Sequence, residues 1–162
     1  MQWLQYVMPA ILLIVIAAID IRYYIIPDAL LLLILCSVLL SDLVLQQGRI
    51  VAILFQIGSR IGNGIAIFIP LLLFILLMDK LLQKESMGGG DLKLMFVVGY
   101  WMGAKAAYMV LYLAAIIGLV WCVCMHWRKG HKLLPFGPFI VMACGIVFLY
   151  GHELQEKFFC IF

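Results

Sequence analysis

Five uncharged apolar stretches, over residues 3–19, 29–41, 61–78, 106–125 and 133–151, dominate this chain. Several approach the roughly 20 residues that an α-helix needs to cross about 30 Å of hydrocarbon. The rest of the composition agrees. Hydrophobic residues make up 67% of the 162 and charged residues only 12%, with a mean hydropathy of +1.20, whereas a soluble domain is about half apolar and a quarter charged. The expected fold is an all-α membrane protein, one domain over residues 1–162.

Six membrane segments are expected, at about 2–20, 28–46, 61–78, 92–104, 106–126 and 134–151. Residues 50–60 either extend the third segment or lie along the interface, since one helix over 51–78 would be about 42 Å long. The fourth segment is short. At about 20 Å it spans only if the bilayer thins or if the turn at Gly103-Ala104-Lys105 is itself submerged. Charge placement gives the orientation. With the N-terminus outside, Arg22, Lys80, Lys84, Lys93, Arg128, Lys129 and Lys132 face the cytoplasm. Arg49, Lys105 and Lys157 face outward, and Arg60 falls near or within the third segment. Seven cations against three follow the positive-inside rule. No Lys or Arg precedes Arg22, so the first stretch reads as an uncleaved helix rather than a signal peptide, which needs a positive start.

Cys36, Cys122, Cys124, Cys144 and Cys160 show neither zinc-site spacing nor a disulfide framework and read as small buried hydrophobes. No metal or other cofactor is expected. The net charge of +3 implies no nucleic-acid partner; the lipid bilayer is the expected environment.

Against this background, the polar run Lys84-Glu85-Ser86-Met87-Gly88-Gly89-Gly90-Asp91 stands out. Asp20 closes the first apolar segment and Asp91 opens the fourth, and the expected orientation puts both on the cytoplasmic side. An ionisable group at the edge of the hydrocarbon is costly and is a functional candidate by default; the plainer reading is an interfacial carboxylate that pairs with a cation or caps a helix. The three glycines favour function. They hold a helix poorly, can take positive φ and let another backbone approach closely. An extended strip at Gly88, Gly89 and Gly90 is what docking of an unfolded substrate strand would need.

These residues resemble a known family. "KESMGGGDLKLMFVVGYWMG" is similar to the GxGD signature of type IV prepilin peptidases and preflagellin peptidases, with Gly88, Gly90 and Asp91 at the named positions. "DIRYYIIPDALL" resembles the family's first motif through Asp20, Pro27 and Asp28. "LLPFGPFI" is similar to its Pro-Phe-Gly-Pro stretch, with Pro135, Phe136, Gly137 and Pro138 opening the last helix. The resemblance implies a six-helix intramembrane aspartyl protease that removes the short basic leader of prepilin-like precursors, with Asp20 and Asp91 as the catalytic pair. The larger bacterial members carry an insertion with two cysteine pairs that performs N-methylation. Its lack in this sequence implies peptidase activity alone.

The chemistry suits two carboxyls. Peptide hydrolysis without a metal or a nucleophilic side chain needs one carboxylate as base toward water and one carboxylic acid as donor. At about 4 Å two such charges repel by roughly 4 kcal/mol at an effective dielectric of 20, so the pair holds one shared proton.

Other polar residues receive plainer readings. Asp28 beside Pro27 suits the first turn of the second helix, with Pro at its first position. Lys93 points away from Asp91 and anchors at the interface. Glu85 is a solvated loop residue. Arg60 and Asn63 either pair with Asp42 near the outer face or snorkel. His126, His131 and His152 show no ligand spacing, and Trp101, Trp121 and Trp127 are interface or packing aromatics. Two rival readings stand beside the peptidase: a non-enzymatic membrane protein (a small transporter or assembly scaffold), and an inactive relative of the family.

Overall fold

A computed structural model describes residues 2–45, 50–83, 87–126 and 135–159, with side chains over 6–45, 50–83, 87–124 and 135–150. Six helices follow one another: α1 (Gln2–Tyr23), α2 (Asp28–Leu45), α3 (Ile50–Leu82), α4 (Gly89–Met102), α5 (Ala104–His126) and α6 (Gly137–Phe159). Among the described residues there is no strand. Four helices, α1, α2, α3 and α5, are long and apolar enough to cross a membrane, and α6 contributes a shorter apolar stretch over Gly137–Tyr150.

Two boundaries depart from the expected segments. Residues 50–60 continue into the third helix, so α3 runs unbroken for 33 residues through Pro70, about 50 Å. The fourth helix begins at Gly89 rather than at 92, because two of the glycines join its first turn.

α4 is the centre. It packs against α2, α3, α5 and α6, while α1 sits between α2 and α6. Leu92, Leu94, Met95, Val97, Val98, Gly99, Tyr100 and Trp101 are all buried, as expected of a helix that is apolar on every face. The other helices turn large apolar side chains outward, among them Leu33, Leu40, Leu73, Phe74, Leu119 and Leu149. Such a surface is stable in lipid and would be an aggregation site in water. The same solvent accounts for the cysteines. Of the four whose side chains are described only Cys144 is buried, while Cys36, Cys122 and Cys124 lie on exposed faces, where hydrocarbon serves a small hydrophobe as well as a core does.

Lipid supplies no hydrophobic drive between helices, so α3 and α4 are held by close backbone approach at small residues. A methyl group added to Gly99 would stand 2.7 Å from Ile67 Cγ2, 3.0 Å from the Asn63 carbonyl oxygen and 3.2 Å from Gly64 Cα. One added to Gly64 would meet the Phe96 ring at 2.8 Å. Tyr108 Oη donates to the Ala66 carbonyl at 2.7 Å and ties α5 to α3.

The far end of α4 carries a buried polar cluster. Arg60 pairs with Asp42 rather than snorkelling: Nη2 donates to Oδ1 at 2.8 Å, and Nε stands 2.7 Å from Oδ2 as an ion pair without the angle of a hydrogen bond. Nη1 reaches the carbonyls of Trp101 at 3.3 Å and Tyr100 at 3.4 Å. Those carbonyls belong to the last turn of α4, which has no partners of its own for them. Left unmet in a buried place, each would cost about 1–3 kcal/mol. Gly103, at φ +90°, then turns the chain into α5 in a single residue, shorter than the expected turn over 103–105. An L side chain rarely adopts that φ.

Lys84, Glu85, Arg49, Trp127, Arg128, Lys129, His131, Lys132 and Cys160 lie outside the described residues, and the side chains of His126, His152 and Lys157 are likewise not described. Trp101 is a packing aromatic, stacked on Phe148 at 6.0 Å. Trp121 is half exposed.

Gly99→Ala is expected to push α3 and α4 apart and lower stability by about 1–3 kcal/mol, read as a depressed thermal midpoint in detergent. Gly58→Ala is the control, because a methyl there meets nothing within 4 Å; it is expected to be neutral or up to about 1 kcal/mol stabilising. Equal midpoints for the two variants would contradict the close-packing account.

Candidate active site

Three helix ends meet around Asp20. The first is the C-terminus of α1. Asp20 lies one turn before that end and is only 5% exposed. Tyr24, in the left-handed region at φ 56°, donates its N–H to the Asp20 carbonyl at 2.9 Å and closes the helix as a left-handed cap does. The chain then runs through Ile25 and Ile26 to Pro27, before which extended backbone is favoured. Pro27 accepts from the N–H of Leu30 at 3.1 Å and so stands just outside α2. Asp28, not Pro27, takes the first helical position.

The second end is the N-terminus of α4. Gly88 is extended (φ −67°, ψ 139°) and accepts from the N–H of Asp91 at 3.1 Å, while Gly89 and Gly90 are already helical. The expected extended strip of three glycines is therefore one residue long, and none of the three has positive φ. Their use is steric. A methyl on Gly90 would stand 3.2 Å from Ile26 Cβ, so the bare backbone lets the α1–α2 turn press onto the start of α4. That contact sets the first turn of α4, which holds Asp91, against the turn that follows Asp20. Asp91 itself curls back toward Gly88, whose added methyl would lie 3.7 Å from Oδ2.

The third end is the N-terminus of α6, and sequence reasoning did not assign it this part. Phe136 accepts the first helical hydrogen bonds, from Phe139 at 3.0 Å and Ile140 at 3.2 Å, so Gly137 is the first residue of the helix. Its N–H is one of the donors a helix leaves unused, and Pro138 beside it has none to offer. The Gly137 backbone lies against the Asp20 carboxylate. Any Cβ at position 137 would collide with Asp20 Oδ2. A methyl added to Gly118 would stand 3.6 Å from both the Phe136 and the Phe139 rings, so the start of α6 is seated on α5. The Pro-Phe-Gly-Pro pattern was the available signal; its partner was not legible because Asp20 is 117 residues away.

Asp20 Oδ2 is buried and makes no hydrogen bond to any of the described residues. The other acid of the first motif behaves differently. Asp28 is 64% exposed and paired with Lys93, 55% exposed, whose Nζ donates to both carboxylate oxygens at 2.9 Å. Lys93 is thus a partner for α2 as well as an interfacial cation. A groove of about 530 Å³ runs between α2, α3 and α4, lined by Leu31, Leu35, Ile65, Phe68, Phe96 and Val97 with the Asp28–Lys93 pair beside them. It is not the cleft of the two aspartates. Residues two apart on a helix face away from each other, so the groove meets Lys93 and not Asp91.

The arrangement is that of a multi-pass helical membrane protein with two acids brought together at helix ends. The chain belongs to the Type IV leader peptidase family, whose profile it matches over residues 7–123, a span containing Asp20 and Asp91. Three similar proteins are each named prepilin leader peptidase/N-methyltransferase. That of Dichelobacter nodosus is 34% identical over 102 residues, 63% of this chain and 34% of the relative. The Xanthomonas campestris protein is 27% identical over 90% of this chain and 50% of its own, and the Aeromonas salmonicida protein is 30% identical over 89% and 48%. The chain spans about half the length of these relatives or less. No solved structure matches it.

An exposed pair such as Asp28–Lys93 contributes little, and the helix dipole adds a similar amount. Asp28→Asn is expected to cost no more than about 1 kcal/mol in thermal unfolding. A loss several times larger would show that the pair is a principal tie between α2 and α4.

Proposed function

We propose that this protein is an aspartic-type endopeptidase that removes the leader peptide of prepilin-like precursors (type IV pilins, pseudopilins or flagellin-like proteins), with Asp20 and Asp91 as its catalytic pair. The observation that carries the reading is the buried Oδ2 of Asp20, which has no hydrogen-bond partner among the described residues, together with the Ile26–Gly90 contact that sets the first turn of α4, and Asp91 with it, against the turn after α1. Buried polar atoms are nearly always hydrogen-bonded, and an exception beside another carboxyl suits a group whose partner is the reacting water.

In this mechanism one carboxyl of the pair is ionised and the other protonated, because two nearby charges repel. The carboxylate takes a proton from water, whose oxygen attacks the peptide carbonyl; the acid donates its proton to the departing amide nitrogen. Protons and charge balance over the two steps, and the pair titrates as a unit. The Gly137 N–H and the positive end of α6 steady the charge on Asp20 and hold its carboxylate in one orientation. Gly88, Gly89 and Gly90 leave room for the substrate backbone beside Asp91: a methyl at Gly89 would meet nothing within 4 Å. Pro27, Pro135, Phe136 and Pro138 shape the turns that carry the acids, and the Asp28–Lys93 pair braces the same end of the bundle.

The N-terminus outside, six crossings and an active site at the cytoplasmic face of the cell membrane belong to the same proposal; the support is the excess of cations on that side. The relatives' second named activity, methyl transfer, is not proposed for residues 1–162, which lack the two cysteine pairs. The rival readings predict no cleavage at all.

Asp20→Asn and Asp91→Asn are each expected to abolish cleavage of a prepilin-like peptide by the purified protein while leaving it folded in the membrane. Near-normal processing by either variant would refute the pair, and no cleavage by the wild type would favour the scaffold or inactive readings. Gly137→Ala is a subtler probe. The added methyl displaces the Asp20 carboxylate and little else, so activity is expected to fall about 10–100-fold, the scale of a 1 Å misplacement, with the thermal midpoint nearly unchanged. Full activity in this variant would remove α6 from the mechanism.

A further inference from the structure

The cluster at the far end of α4 has no part in the chemistry just described, yet it is placed to control it. α4 has 14 residues and is about 21 Å long, well short of a hydrocarbon core of about 30 Å. At least one of its ends therefore stops at depth, where no water is available to satisfy terminal carbonyls. Arg60 supplies what water cannot. Its guanidinium is held by Asp42 on α2 and donates to the carbonyls of Tyr100 and Trp101. Gln56 donates to the same Asp42 oxygen at 3.3 Å. Both charged side chains are buried, Asp42 at 1% and Arg60 at 12% exposure.

The contacts along α3 and α4 divide the work. The bare backbones at Gly64 and Gly99 set how close the two helices lie. Close apposition alone leaves α4 able to slide along its neighbour, and a slip of one residue would carry Asp91 about 1.5 Å along the axis. A fork of donors anchored on α2 and α3 and closed on the last turn of α4 removes that freedom. We propose that Arg60, set by Asp42, is a positioning residue that fixes the axial register of α4 and thereby the level at which Asp91 meets Asp20. This role rests on the reading of Asp20 and Asp91 as the catalytic pair.

The test uses the full chain in detergent and in vesicles. Asp42→Asn/Arg60→Met removes the fork without stranding one buried charge. Its kcat on a prepilin-like peptide is expected to fall about 10–100-fold, with KM within about threefold of wild type, because substrate contacts are untouched. Arg60→Lys keeps the charge for Asp42 but offers a single point rather than a fork; its kcat is expected to fall between the two. Wild-type kcat in the double variant, or a raised KM with kcat unchanged, overturns the proposal. Should the double variant fail to fold, Arg60→Lys decides alone, and wild-type kcat in it overturns the proposal.

A second readout does not need activity. A nitroxide attached at Gly89→Cys, in a chain whose native cysteines are replaced by serine, reports the depth of the start of α4 from its collision with oxygen and with a polar relaxant. The label is expected to change depth by about 1.5 Å or more in the double variant, and an unchanged depth overturns the lock. If the wild type cleaves nothing, the peptidase reading fails while the depth measurement still decides the role of Arg60.

Discussion

Everything else in the molecule is arranged around a 14-residue helix that is too short to cross about 30 Å of hydrocarbon by itself. α4 buries most of its side chains among four neighbours, and its two ends are closed in different ways. The outer helices only have to be long and oily. α4 has to be capped from the side. At its far end a guanidinium takes up carbonyls from the last turn, and Gly103 leaves at once for α5. At its near end Gly88, Asp91 and the turn before α2 form a polar edge where an acid can be both desolvated and reachable. Depth, not sequence distance, gives Asp91 its unusual position.

Glycine does most of the fine placement, and it does so in distinct ways. At positions 64 and 99 it lets two helices touch through their backbones, which in lipid replaces the missing hydrophobic drive. At position 90 it admits Ile26, and at 137 it leaves space for a carboxylate. Among the described glycines, only Gly103 uses its backbone freedom. The groove beside Lys93 shows that a recess in such a bundle need not be its chemical centre: its lining is largely apolar and includes neither Asp20 nor Asp91.

Much of the fold was legible because hydrocarbon imposes so few solutions. Five long uncharged runs read as helices and a shorter, more polar one as a sixth, and six helices are present among the described residues. What escaped was set by tertiary packing. Residues 50–60 had been left between extending the third segment and lying along the interface, and they extend it. The two candidate acids stood out by their position at segment ends, and the same turns carry them in the fold. The glycine run was misread in form: an extended, flexible strip was expected, whereas the packing of Ile26 on Gly90 draws two of the three residues into the helix. Arg60 had been left between two fates, and burial decided for pairing. Lys93 gained a partner in Asp28, 65 positions away. The Asp20–Gly137 contact joins the first helix to the last, and a reading along the chain has no means of pairing such distant points.

That contact also orders events during synthesis. Asp20 lies in α1 and Gly137 in α6, so the ribosome must deliver the more than one hundred residues between them before the Asp20 carboxylate can meet the start of α6. Nascent forms stopping short of α6 would carry both aspartates and yet lack the wall that orients one of them. The two sides of that contact therefore come together only once α6 has been made and packed against α1.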